Sequence, residues 1–432
     1  MNKINKIIDL LNKSHSVFHV VENMKNELLS NGFIELNESE PFILNKGSSY
    51  FVTRNDSSLI AFKIPSSIEN VHFQIEASHT DSPSFKIKPN PVLNINNSIS
   101  LNVEPYGGMI MSTWLDRPLS LAGRIVYQDE TGNVSSKSFD IDRDLLFIPN
   151  VAIHMNREVN SGYKFNPAVD LIPLLSSSSN FVFKSFIETE ARIAKDSLLS
   201  FDLFLYNRDE ARVCGLNNEF LSSPRIDNLT SCYSSLLGLI ESLPSSINVL
   251  AAFDNEEVGS LTRQGADSTF LESIISRISP SLGLSKDEYY QAISKSSLLS
   301  IDNAHAINPN HPEYADRTSA VLINKGIVIK YNANQSYTTD SLSSSIVKSL
   351  LLKDKLNYQE FTNRSDLRGG STLGNISNNH LSLVSIDIGL PQLAMHSSNE
   401  LCGVKDLKDM LILTKKYYDS SIIVNNSNIE IK

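Results

Sequence analysis

INVLAAFDNEEVGS (247–260) decides how the chain is read. Its first seven residues form a short unbroken apolar run, which suits a strand buried on both faces. Helical spacing flanks it on both sides. Residues 228–243 place Leu229, Tyr233, Leu236, Leu237 and Ile240 on one face, and 269–278 is again helical. Further on, LLSID (298–302), IVIKYN (327–332) and LVSIDIGLP (383–391) read as strands, with helices over 339–352 and 407–418. Strands alternating with helices predict an α/β sheet covered on both faces.

Moving toward the N-terminus, Ile4, Ile7, Ile8 and Leu11 predict one helix, and Val20, Met24 and Leu28 a second that Gly32 stops. Strands follow at Phe51, 58–63 and 71–77. From about Pro89 to Pro224 the pattern changes to short alternating segments: LNVEPY, GRIVYQ, SKSFDI and RIAKDSLLSFDLFLY. Turn signals such as Gly107-Gly108 and Thr131-Gly132-Asn133 separate them, and the serines from Ser176 to Ser179 mark a loop tip. The chain therefore divides into a discontinuous α/β domain over 1–88 and 221–432, and an inserted, mostly β domain over 89–220.

The 432 residues set a prior of two or three domains at ~150 residues each. Hydrophobic residues at 41% supply a large core and argue against disorder. A net charge of −10 argues against a nucleic-acid partner, which would need a basic face. Cys214, Cys232 and Cys402 make no Cys-x-x-Cys pair and read as thiols in a reducing compartment. MNKINKIIDLLNKSHS lacks the apolar core of a signal peptide, and no run approaches the ~18 apolar residues of a membrane span. A cytoplasmic protein is expected.

Acids and histidines cluster just after the expected strands, where α/β sheets build their sites. In EASHTDSP, His79 and Asp81 point the same way on an extended backbone, so the acid suits orienting the ring of a metal-bound histidine. In SPRIDNL, Asp227 stands at a helix start, where aspartate also serves as a cap. Glu256 and Glu257 are adjacent in the turn after 247–253; an exposed acidic loop would look the same, but a shared dication would explain the pair. SIDNAHAINPN supplies Asp302 and His305, and PQLAMHSSNE supplies His396. Histidines and carboxylates in this mixture suit a pair of divalent ions, bridged by one acid, with a free carboxylate moving protons. His15, His19, His72, His311 and His380 have no such pattern, and Lys330 alone would read as a solvated strand residue.

Nine ordered motifs carry a closer resemblance over nearly the whole chain: EASHTDSPSFKIKP, VEPYGGMIMSTWLDRPLSLAGR, IPNVAIHMNREVNSGY, SPRIDNL, FDNEEVGS, SIDNAHAINPN, VIKYNANQSYTTD, GGSTLG and SIDIGLPQLAMHSSNE. Together they resemble the aspartyl aminopeptidases, dinuclear zinc exopeptidases, in their bacterial branch. The resemblance implies a phosphorylase/hydrolase-like zinc-exopeptidase α/β sandwich with an inserted β dimerisation domain, assembled into a tetrahedral dodecamer. It implies two divalent ions per subunit, zinc with cobalt or manganese as substitutes. His79, Glu257, Asp302 and His396 match the terminal ligands, Asp227 the bridge, Glu256 the general base and Asp81 the acid that orients His79. His154 matches a histidine reaching a neighbouring subunit's site. His305, Lys330 and Tyr337 match the pocket for the first side chain of a peptide with a free N-terminus, with Gly370 and Ser371 in a nearby loop. Asn308 and Pro118 depart from the family, which often has a histidine and an acid there.

The expected activity is removal of N-terminal residues, with Asp or Glu preferred. The resemblance implies this preference, and the residues offer a cause: Lys330 supplies a positive charge that a neutral side chain would leave buried and unpaired, with His305 and Tyr337 as hydrogen-bond donors. An aminopeptidase of broad or neutral/basic preference, a small-amide deacylase on the same scaffold and a non-catalytic assembly protein are the rival readings.

Overall fold

Apolar runs with both faces buried build the centre of the molecule. The computed structural model describes residues 3–177, 180–367, 369–370 and 372–432. Nine strands lie in the order Ile34–Glu35, Ser49–Arg54, Ser58–Lys63, Ile247–Phe253, Phe73–His79, Ser297–Ile301, Val384–Gly389, Ile327–Tyr331 and Tyr358–Thr362. The four from Ile247–Phe253 to Val384–Gly389 run parallel. Strands on either side of this set pair antiparallel to it.

Alternation along each strand feeds two cores. On Ile247–Phe253, Leu250 and Ala252 join a core with helices Lys3–Asn12, Val17–Ser30, Ile226–Glu241, Ser341–Lys353 and Val404–Asp419. Val249, Ala251 and Phe253 join the opposite core, packed on helix Phe270–Ser281. The α/β sandwich is the fold the alternating pattern predicts.

Register then gathers the site. Phe253 lies opposite His79, and Ser300 opposite Ala77. The chain thus leaves all three strands at one end of the sheet, carrying Asp81, Glu256, Glu257 and Asp302 with it. Gly389 makes this close approach possible, since a Cβ there would lie 2.0 Å from the carbonyl oxygen of Asp302.

A second unit interrupts the sandwich. Its six strands lie in the order Val134–Asp140, Leu119–Gln128, Leu198–Asn207, Ser84–Ile95, Ser98–Tyr106 and Leu174–Ser176, around a core that includes Phe85, Trp114, Leu121 and Leu203. This sheet starts at Ser84 and its last strand ends at Asn207. Arg212–Cys214 and Phe220–Ser223 pair instead toward Glu400–Gly403, in a separate five-stranded sheet. The unit also holds the helix Phe183–Ala191, which the β pattern did not suggest. RIAKDSLLSFDLFLY is extended only from Leu198, because Arg192 ends that helix at φ 54° and Asp196 turns the chain again at φ 64°.

Candidate metal centre

The sequence candidates converge from five separate segments. His79 ends its strand, and Asp302 follows Ser297–Ile301 by one residue. Glu256 and Glu257 open a short 3-10 turn beyond Ile247–Phe253. Asp227 enters at the head of helix Ile226–Glu241, after Arg225 at φ 59°, and its own backbone is not helical. It does not act as the helix cap. His396 lies beyond Pro391–Leu393 at φ 65°.

Asp227 divides its carboxylate between the two histidines. Nε2 of His79 lies 3.5 Å from Asp227 Oδ1 and 3.6 Å from Asp302 Oδ1. Nε2 of His396 lies 3.5 Å from both Asp227 Oδ2 and Glu257 Oε2. These separations are longer than a good N–H···O bond of about 2.9 Å, yet the donor atoms face a common space. His79, Asp227 and Asp302 can close on one ion, and Asp227, Glu257 and His396 on another. Asp227 Oδ1 and Glu257 Oε1 are buried with no hydrogen-bond partner among the described residues. Buried carboxylate oxygens left bare are costly, and imidazole with carboxylate is a good zinc donor set. The residues fit divalent metal.

Charge points the same way. Asp81, Asp227 and Asp302 press on Glu256, and the buried Lys330 ammonium answers Asp302 and Asp227. Burial, with Asp302, Asp81 and Asp227 close by, pushes Glu256 up to about 7 against the pull of His79. Burial holds Glu257 well above the carboxylate range. Burial opposes charge on His396, but Asp227 and Glu257 overcome it and raise the ring to about 10. Asp227 stays below its usual value despite burial, because both imidazoles face it. The cluster draws positive charge inward.

Asp81 does more than the sequence suggested. His79 Nδ1 donates to the Asp81 backbone carbonyl at 3.1 Å, with the carboxylate at 3.4 Å. That carboxylate accepts from the backbone N–H groups of Glu256 (3.1 Å) and Glu257 (3.2 Å), and from Tyr106 Oη (2.7 Å). It therefore fixes the turn that presents the paired glutamates. Tyr106 belongs to the inserted unit, whose next residues also reach the cluster. His396 Nδ1 donates to the Gly108 carbonyl at 2.8 Å, and Ile110 N–H donates to the His396 carbonyl at 2.9 Å. Gly107 sits at φ 75°, where a Cβ would lie 3.0 Å from Glu257 Cβ.

The pocket residues are less uniform. Lys330 is buried, and its Nζ donates to Asp302 Oδ2 at 3.3 Å, over the Tyr337 ring at 5.4 Å. This corrects the expectation of an ammonium left unpaired beside a neutral substrate, because Asp302 already partners it. His305 is exposed and meets Phe361 edge-on, with ring centroids 6.4 Å apart. Gly370 faces open space, and Ser371 lies outside the described residues. His154 stands exposed on the inserted unit and joins none of the metal-binding groups found among the described residues.

Glu400, Gln392 and Tyr106 went unremarked in the sequence. Glu400 is buried and accepts from the backbone N–H groups of Asp227 at 2.9 Å and His396 at 2.7 Å. Only its place at the end of PQLAMHSSNE hinted at it.

A histidine–carboxylate cluster at the strand ends of an α/β sandwich defines a metal-dependent hydrolase. Residues 10–418 match the family model described as Aminopeptidase I zinc metalloprotease (M18), and the chain belongs to that family. It is 46% identical over 411 residues to a probable M18 family aminopeptidase 2 of Clostridium acetobutylicum, covering 93% of this chain and 95% of that one. A protein of the same description from Clostridium novyi is 44% identical, with 97% and 99% covered. Among solved structures, a chain of the Ape4 and Nbr1 complex superposes with a TM-score of 0.92 at 35% identity, covering 96% of this chain and 85% of that one. The S. cerevisiae mApe1 dodecamer shares the fold at TM-score 0.82 and 24% identity, with 96% of each chain covered. The protein is thus a zinc metallo-aminopeptidase by family. No helix among the described residues is long and apolar enough to cross a membrane.

Proposed function

We propose that the chain removes acidic N-terminal residues from peptides, using two divalent ions held by His79 and Asp302 on one side, Glu257 and His396 on the other, and Asp227 between them. The observation that carries this reading is the division of Asp227, one oxygen toward each histidine at 3.5 Å. Bound divalent ions polarise a carbonyl and acidify water. Glu256, in the turn beside the proposed ligands, would take the water proton and pass it to the leaving amine. Asp81 holds Glu256 and His79 in register for that transfer. Zinc is the metal of choice for these donors, and cobalt or manganese would also be accepted.

Lys330, Tyr337 and His305 would receive the first side chain. The Lys330–Asp302 pair specifically favours a second reading, a broader preference, because part of the ammonium's charge is already answered. Rates on Asp-, Glu-, Leu- and Lys-anilides, with wild type and Lys330→Met, separate the two. Acidic preference that collapses in the variant supports the pocket; a wild-type preference for Leu or Lys overturns it. An N-acetylated peptide cleaved as fast as the free one would favour a deacylase.

The inserted unit is proposed as the dimerisation domain of a larger homo-oligomer. Val151, Ile153 and Met155 are exposed beside His154, at 51%, 47% and 78%. That surface suits a neighbour, into whose site His154 would reach. Mixing His154→Ala chains with Glu256→Gln chains should restore some activity; none in verified mixed oligomers would count against a shared site. Enclosure within a dodecamer would limit substrates to short or unfolded peptides, and a reducing cytoplasm suits the free thiols.

A further inference from the structure

Asp227 and His396 come from distant parts of the chain and both leave regular structure where they face the cluster. Arg225 at φ 59° precedes one, and the other is itself at φ 65°. Neither backbone N–H finds a helical or strand partner. Both instead meet one side chain: Asp227 N–H donates to Glu400 Oε2 at 2.9 Å, and His396 N–H to Glu400 Oε1 at 2.7 Å. Gln392 Nε2 reaches the same Oε1 at 3.3 Å. Gln392 Oε1 in turn accepts from Asn303 Nδ2 at 2.7 Å, and Asn303 follows Asp302 directly. The Asn303 amide also donates to the carbonyl of Ile226, just before Asp227, at 3.0 Å.

We infer that Glu400 is a positioning residue of the metal centre, and that Asn303–Gln392–Glu400 is a buried brace fixing the spacing of Asp302, Asp227 and His396. The inference rests on the proposed metal-ligand set. A buried carboxylate without a cationic partner is expensive, and among the described residues Glu400 forms no ion pair. Two backbone N–H groups approach from two directions, and of the side chains this size only a carboxylate offers acceptors on both prongs. Glutamine would turn an N–H₂ toward one of them, leaving a buried donor against a donor. Outer-shell partners of this kind typically carry 10–100-fold in metal affinity.

The test uses the full-length assembled protein, stripped of metal, as wild type, Glu400→Gln, Gln392→Leu and the control Asp227→Ala. Zn²⁺ affinity is measured by chelator competition, Co²⁺ ligation by visible absorption, and the fold by circular dichroism of the metal-free chains. Glu400→Gln should weaken Zn²⁺ about 10–100-fold and change the Co²⁺ spectrum, with the metal-free fold retained. Gln392→Leu should shift both in the same direction by less. A folded Glu400→Gln with wild-type affinity and spectrum overturns the brace. If Glu400→Gln does not fold, Gln392→Leu decides: an unchanged spectrum and affinity overturn it, and a shift in both supports it. Stoichiometric metal kept by Asp227→Ala would overturn the ligand set itself, and the brace with it.

Discussion

The half of the cluster around His79 and the half around His396 are built from different materials. His79 is the last residue of a central strand, its side chain 1% exposed, and Asp302 extends the neighbouring strand. His396 sits on a loop, 31% exposed, and is held by a carbonyl from the inserted unit and by Glu400. One half inherits its geometry from sheet register, which the whole core enforces. The other must be assembled by hydrogen bonds between units. The sheet-built half should hold its ion more tightly, and a chelator should strip the two ions in two steps, the His396 side first.

Asp227→Ala should abolish the distinction, since both halves share that residue. Metal analysis should find neither ion bound stoichiometrically; two per chain would contradict the bridge. Glu256→Gln should leave both halves loaded while lowering kcat by ~10²–10⁴, separating the holding of metal from the movement of protons. Turnover near wild type would remove Glu256 from its role. Acid should loosen both halves. The metal-free rings of His79 and His396 are raised, the latter to about 10, so at neutral pH each ion must displace a proton. Affinity should therefore fall about tenfold per pH unit per displaced proton between pH 8 and 6, with proton uptake or release read by calorimetry in paired buffers. Tyr106→Phe should have the smallest effect. It removes one donor from Asp81, so kcat should drop about tenfold with both ions retained. Loss of an ion in that variant would mean that the inserted unit supports the His79 half as well.

Much of the sheet-built half could be read from the chain itself. Ile247–Phe253 and Ser58–Lys63 coincide with their expected spans, because short buried runs bounded by turns leave few alternatives. His79 and Asp302 stood out because α/β sheets build their sites at strand ends. The loop-built half was legible only in its proposed ligands, Glu257 and His396. Glu400 contacts Asp227 across 173 positions, and nothing local in SSNE distinguishes a brace from a surface acid. Tyr106 likewise looks like an ordinary strand residue until the fold brings its hydroxyl to Asp81 across 25 positions. The helix Phe183–Ala191 escaped notice because its apolar pair Phe183 and Ile187 sits among alternating segments, and a nine-residue helix offers few turns to establish a period.

The Gly107–Gly108 turn has a consequence for anyone who would shrink or recombine this protein. An insertion whose ends lie close together ordinarily invites excision, leaving a minimal enzyme behind. Here the excised piece would carry away the carbonyl that sets the His396 ring and the hydroxyl on Asp81. The sandwich alone would keep all five proposed ligands in its sequence and lose the orientation of one. Grafting a relative's insertion would succeed only where the donor turn presents a glycine against Glu257, since any side chain there meets Glu257 Cβ at 3.0 Å. The two units are separable on paper and interlocked at the chemistry.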